Sequence, residues 1–135
     1  MTIVVDASVI MKWIIPEAGS REAVALQGQI LIAPSPWFAE VANGLWRHAL
    51  RGELSLKDSA RLLDEVATAP INTVDSKDDM RTALSLAIEL EHPIYDCIYL
   101  ALALREHTHV VTADMRFANL VRKRSNLKER IRPLL

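Results

Sequence analysis

Residues 93–104 read Pro-Ile-Tyr-Asp-Cys-Ile-Tyr-Leu-Ala-Leu-Ala-Leu. Wound as a helix, this segment is apolar on every side, so it belongs at the centre of a fold with cover all round. Two other runs make the same demand. Thr2-Ile-Val-Val5 and Ile30-Leu-Ile-Ala33 are β-branched and apolar without alternation. That is the pattern of strands covered on both faces. No apolar run approaches the ~18 residues of a membrane span, so the cover has to come from the chain itself.

Around these anchors strands and helices alternate. Residues 7–13 read as a short helix closed off by Pro16, and 20–28 as a helix starting at Ser20. Pro34 and Pro36 end the second strand. Over 37–51, Phe38, Val41, Ala42, Leu45, Trp46, Ala49 and Leu50 share the apolar side, which puts Trp46 in the core. Glu40, Asn43, Gly44, Arg47 and Arg51 fall opposite. Ser55, with Asp58 three residues on, starts a helix over 55–68 whose expected buried stripe is Leu56, Ala60, Leu63 and Ala67. Ser76 and Asp79 repeat that start signal before a helix over 77–90. Short strands are expected at 71–74, at 109–112 and around Ile131, with helices from Pro93 to Glu106 and over 115–124. The alternation specifies one α/β domain over 1–135, a mainly parallel central sheet flanked by helices.

Composition narrows the class further. Half of the 135 residues are hydrophobic and 24% are charged, which supports a packed core and argues against disorder. The single cysteine, Cys97, cannot form an internal disulfide, and no Cys/His spacing suits a structural zinc. With no basic leader at its start, the chain reads as cytoplasmic. The net charge of −1 hides an asymmetry: residues 115–135 hold seven Lys/Arg against one acid, Glu129. A basic end on an acidic body points to a polyanion or an acidic partner.

In parallel sheets the active crevice lies beyond the carboxyl ends of the strands. That rule selects Asp6, directly after the first strand, and Asp114, two residues after the strand at 109–112. Each alone also reads as an ordinary cap or turn residue. Asp96 stands in the first turn of the apolar helix, where a buried carboxylate needs a partner. The helix N-terminus opened by Pro93 supplies some support, and a plain N-cap role competes. Glu40 is the only acid on the polar stripe of 37–51, with Asn43 and Arg47 projecting to the same side. Four carboxylates with no His or Cys among them suit a hard cation, Mg²⁺ or Mn²⁺.

Four segments in order then resemble a PIN domain: Val4-Val-Asp-Ala-Ser8, Glu40 with Asn43, Tyr95-Asp-Cys-Ile-Tyr-Leu-Ala-Leu-Ala103, and Val111-Thr-Ala-Asp-Met-Arg-Phe117. Order, spacing and length are similar to the VapC-type toxin ribonucleases of toxin–antitoxin pairs, over essentially the whole chain. The resemblance implies an acidic pocket of Asp6, Glu40, Asp96 and Asp114. In it, Asp6 and Asp96 are the expected direct metal ligands, Asp114 joins them directly or through water, Glu40 acts through water or orients the nucleophile, and Ser8 and Thr112 place hydroxyls beside the metal. Some relatives carry a further acid where this chain has Arg116, which here becomes a candidate for substrate phosphate.

The activity so implied is metal-assisted hydrolysis of RNA, leaving a 5′-phosphate and a 3′-hydroxyl. Arg47, Arg51, Arg116, Arg122, Lys123 and Arg124 are the candidate RNA contacts, since a basic rim has to offset the acidic pocket. The resemblance further implies a substrate with an exposed single strand, such as a transfer-RNA loop, a homodimer, and a cognate antitoxin. Trp13, Trp37 and Trp46 are candidates for partner surfaces. Two other readings compete. A catalytically silent PIN module would bind RNA or protein only. A receiver-like signalling domain shares fold class and length, but needs paired early acids, a mid-chain acceptor aspartate and a late lysine. Asp6 stands alone, only Asp75 is mid-chain, and Thr112-Ala-Asp114 lacks that lysine.

Overall fold

The computed structural model describes residues 1–135. Five strands form one sheet: β1 (Thr2–Val5), β2 (Ile30–Pro34), β3 (Ile71–Val74), β4 (Val110–Thr112) and β5 (Ile131–Pro133). Every pairing is parallel, and the order is β3-β2-β1-β4-β5. Ile3, Val4 and Val5 are fully buried, as an apolar strand without alternation requires. A receiver domain carries the order 2-1-3-4-5, so the observed order excludes that reading.

Seven helices complete the fold: α1 (Ala7–Ile14), α2 (Ser20–Ala25), α3 (Trp37–Leu50), α4 (Leu56–Val66), α5 (Met80–Leu90), α6 (Ile94–Arg105) and α7 (Met115–Arg122). Helix α6 packs on β1, β2 and β4, and α5 packs on α6. Seven consecutive residues of α6, Cys97–Ala103, are buried, as its composition demands. The α5–α6 pair is fastened by Arg105, whose guanidinium donates twice to the buried carboxylate of Asp79 at 2.6 and 2.9 Å.

Some boundaries and phases differ from the sequence expectation. The helix over 20–28 becomes α2 followed by a 3₁₀ turn at Leu26–Gly28, and that over 77–90 opens as a 3₁₀ turn at Lys77–Asp79. Ser55 caps α4 through the Asp58 N–H at 3.0 Å, whereas Ser76 caps nothing and meets the Ser35 hydroxyl instead. In α4 the fully buried residues are Leu62 and Val66, and Leu56 is 86% exposed. In α3 they are Trp37, Val41, Gly44 and Leu45, while Phe38, Trp46 (57%) and Leu50 (70%) are exposed. Trp46 is therefore not a core residue. These two helices carry more apolar side chains than the core accepts. The surplus lines an open groove of about 490 Å³ between them, with Trp46, Leu54, Leu56, Ala60 and Leu63 on its walls. Of the other tryptophans, Trp37 is buried with its indole N–H on the Thr73 hydroxyl, and Trp13 donates to the Ala23 carbonyl.

Candidate active site

The chain order reverses at β1, which pairs with β2 on one side and β4 on the other. A crevice opens at such a switch point beyond the carboxyl ends of the strands. A cavity of about 490 Å³ lies there, and Asp6, Glu40, Asp96 and Asp114 all line it, with Ser8, Asn43 and Arg47.

Asp6 ends β1 and caps α1, its Oδ1 accepting from the Val9 N–H at 3.3 Å and from the Ser8 hydroxyl. Burial pushes its pKa up to about 6. The Ser8 and Thr112 hydroxyls and the Val9 N–H pull it down, and the Asp96 charge adds to the rise. Ser8 Oγ also accepts from the Ala113 N–H at 2.9 Å, and the buried Thr112 hydroxyl accepts from the Asp114 N–H at 3.0 Å. The two hydroxyls lie 3.4 Å apart. They tie the ends of β1 and β4 together and so hold Asp6 and Asp114 on one crevice. Asp114 is exposed and caps α7, its Oδ1 accepting from Arg116 N–H at 3.0 Å and Phe117 N–H at 3.2 Å. For Asp6 and Asp114, cap and pocket residue are thus the same residue.

Asp96 differs from its expected setting. It is half-buried, not engulfed, because burial of α6 becomes complete only from Cys97. It is no N-cap either: Pro93 holds that position and no side chain caps the helix. Its partner is His92, with Nε2 at 2.7 Å from Asp96 Oδ2. Glu91, in the left-handed conformation at φ 51°, ends α5 and delivers His92 to this place. The imidazole stacks on Phe117, ring centroids 5.0 Å apart. A search for lysine or arginine partners misses His92; its four-residue spacing from Asp96 is the signal that finds it.

Glu40 accepts from the Tyr99 hydroxyl at 2.8 Å. Burial raises its pKa to about 7; the Tyr99 bond lowers it, and the Asp96 and Asp6 charges add to the rise. Tyr99 is buried, and burial with the Glu40 charge holds its own pKa far above the usual range, so it stays a donor. Nothing in the sequence separates Tyr99 from the core residues around it except its hydroxyl, which needs a partner when buried.

Of the six basic candidates, Arg47 lines the carboxylate cavity without pairing with Glu40. Arg116 and Lys123 line a neighbouring cavity. The other three are engaged: Arg51 with Glu53 at 2.9 Å, Arg122 with Asn119 Oδ1 at 2.7 Å, and Arg124 with the Glu89 carbonyl at 2.9 Å.

In each carboxylate the hydrogen bonds fall on one oxygen: Oδ1 of Asp6 and Asp114, Oε1 of Glu40, Oδ2 of Asp96. For Glu40, Asp96 and Asp114 this leaves the second oxygen without a protein partner, whereas the Thr112 hydroxyl also bears on the Asp6 carboxylate. No three His, Cys, Asp or Glu side chains close around one point as a ready-made cage. A small hard cation needs only one or two carboxylates and keeps its waters. An oxygen-rich cavity whose buried acids resist ionisation fits such an ion, because a cation offsets the charge that burial penalises.

This architecture and the placement of its acids define a class. Residues 3–123 match the PIN domain, and the chain belongs to the PIN-domain family. Among curated proteins it is similar to Ribonuclease VapC3 of Pyrobaculum aerophilum, 32% identical over 122 residues, which cover 87% of this chain and 93% of that protein. Among solved structures it is similar in fold to PAE2754 from Pyrobaculum aerophilum, with a TM-score of 0.73 at 22% identity over 99% of this chain and 84% of the other. A toxin–antitoxin complex from Klebsiella pneumoniae also shares the fold, with a TM-score of 0.63 at 15% identity over 84% of this chain and 88% of the other.

Proposed function

We propose that this protein is a Mg²⁺- or Mn²⁺-dependent endoribonuclease, the toxin of a cytoplasmic toxin–antitoxin pair. One observation carries the chemistry: four carboxylates share a cavity at the switch point of the sheet, and two of them are pushed toward neutral pH. Family membership and the relation to a ribonuclease name the bond that is cut.

Asp6, Asp96 and Asp114 would hold the cation. When bound, it would supply Lewis acidity toward the scissile phosphate and a bound water. Ser8 and Thr112 keep the Asp6 and Asp114 backbones in register, and His92 fixes the Asp96 carboxylate. Glu40, whose carboxyl burial holds above the ordinary range, is placed to accept a proton from the attacking water. Tyr99 holds one Glu40 oxygen, leaving the other for that proton. Arg47 meets substrate phosphate, as do Arg116 and Lys123 beyond Asp114. The chain works as a homodimer, and a cognate antitoxin silences it by covering this crevice. The substrate is RNA with an exposed single strand, of which a transfer-RNA loop is one example.

The test is cleavage of single-stranded RNA by purified protein with Mn²⁺ or Mg²⁺, with an Asp6→Asn preparation as the control for contaminating nuclease. Cutting that stops in EDTA and in the variant, with 5′-phosphate at the new ends, supports the reading. Equal cutting by both preparations, or undiminished cutting in excess EDTA, overturns it.

A further inference from the structure

Asp114 is a wall of two cavities. The second, also about 490 Å³, lies beyond it and is lined by His92, Pro93, Arg116, Asn119, Leu120 and Lys123. Its chemistry is the reverse of its neighbour's. The guanidinium of Arg116 and the ammonium of Lys123 have no protein partner, and Arg116 and Asn119 of α7 and Lys123 at its C-cap line this cavity together at helical spacing.

We propose that this second cavity binds the nucleotide flanking the scissile phosphate and selects guanine and uracil, the bases with a keto oxygen, not an amine, at purine C6 or pyrimidine C4. The proposal rests on the ribonuclease reading above. A strand whose scissile phosphate sits among the carboxylates has to leave that cavity across one of its walls. Asp114 is the wall that opens onto cations. The space falls in the range of small-ligand pockets, about 300–1,000 Å³. Pro93 and Leu120 give it apolar surface, and the His92 ring is held flat against Phe117, as a stacking wall for a base requires.

Base choice follows from the hydrogen-bonding groups. Asn119 Oδ1 is taken by Arg122 Nη2 at 2.7 Å. That bond fixes the orientation of the amide and leaves its NH₂ group as the free end. Arg116 and Lys123 serve the flanking phosphates, so the group that meets the base edge is the Asn119 NH₂, which only donates. Guanine O6 and uracil O4 accept from such a group, whereas the exocyclic amines of adenine and cytosine would face a donor. An acidic peptide would satisfy the two cations but would make no use of the flat wall or of Asn119.

Two measurements on the full chain test this, each on wild type, Asn119→Leu and Lys123→Ala. In EDTA, fluorescein-labelled uridine and cytidine hexamers, alike in size, are titrated onto the protein. With Mn²⁺, a randomised RNA is cut and its new ends are sequenced. Wild type is expected to hold the uridine hexamer about tenfold more tightly and to cut beside guanine or uracil at one fixed position. Asn119→Leu erases both preferences, lowering cleavage beside guanine or uracil toward the level beside adenine or cytosine. Lys123→Ala keeps the preferences and lowers the slope of log affinity against log salt by about 1. Cleavage with no keto preference, or with a preference that survives Asn119→Leu, overturns the subsite and leaves the nuclease standing. No cleavage, with an Asn119-dependent preference for uridine, overturns the nuclease and keeps the subsite. Neither cleavage nor base-dependent binding overturns both.

Discussion

The Tyr99 hydroxyl donates to Glu40 Oε1 at 2.8 Å, across 59 residues of sequence. The bond joins the buried helix α6 to the carboxylate on α3 and is the only hydrogen bond that favours ionised Glu40. Tyr99→Phe keeps the ring and removes the donor. The Glu40 pKa is then expected to rise above its wild-type value, moving the ascending limb of the pH–rate profile upward by about one unit. Cleavage falls several-fold on the acid side of that limb and approaches the wild-type rate on its alkaline plateau, with a stability loss of about 1 kcal/mol. An unshifted profile in the variant would separate Glu40 from the rate.

Without metal, the same acids make stability depend on pH. The folded-state pKa values of Asp6 and Glu40, about 6 and about 7, lie above the ordinary 3.8 and 4.5. Between about pH 4 and pH 7 the folded state therefore holds more protons than the unfolded one, and stability falls as pH rises. Other groups being equal, the EDTA-treated protein melts a few degrees lower at pH 7.5 than at pH 5. In Asp6→Asn that difference shrinks. A melting temperature that climbs steadily from pH 5 to pH 7.5 would show that these carboxylates ionise without cost.

Sequence reading reached the fold where one rule sufficed. β1 and β2 are covered on both faces, so their composition alone marks them, and Asp6 and Asp114 follow from the strand-end rule. The phase of α3 and α4 was not legible, because both carry an apolar surplus that periodicity counts as core. Gly44 shows the reverse case. It has no side chain to count, yet it is buried because Met11 fills the space, its Sδ 3.0 Å from where a Cβ would stand. His92 and Tyr99 escaped for a different reason. Their roles lie in contacts to carboxylates: only the folded backbone joins Tyr99 to Glu40, whereas His92 is local to Asp96 but stands before the Pro93 cap, outside the helix that the sequence marks.

The His92–Asp96 contact sharpens what Asp96→Asn should do. Asparagine keeps an oxygen for the His92 N–H, so the orientation of the side chain survives while its charge is lost. Asp96 raises the pKa of both Asp6 and Glu40. Two like charges ~6 Å apart repel by about 3 kcal/mol at an effective dielectric of ~20, and water reduces that. The metal-free variant is therefore expected to melt up to a few degrees higher than wild type at pH 8, and Mn²⁺ to stabilise it less. Cleavage is expected to fall at least a hundredfold if Asp96 holds the ion. A variant that cleaves RNA at close to the wild-type rate would remove Asp96 from the active site.

Cation binding should also expel protons. Near pH 6.5, Glu40 with a pKa of about 7 is largely protonated and Asp6 with a pKa of about 6 partly so. A divalent ion binds the ionised forms and lowers both values, so loading releases on the order of one proton at pH 6.5 and almost none at pH 8.5. Calorimetric titration of the metal-free protein with Mn²⁺, repeated in two buffers of different ionisation enthalpy, reads that number directly. Apparent affinity should rise with pH over the same interval, by up to tenfold per unit where a full proton is released. Asp6→Asn and Glu40→Gln each remove part of the release, and together they remove most of it. Mn²⁺ that binds at pH 6.5 with heats independent of buffer would place the ion away from Asp6 and Glu40. It would do so whatever the RNA assay shows.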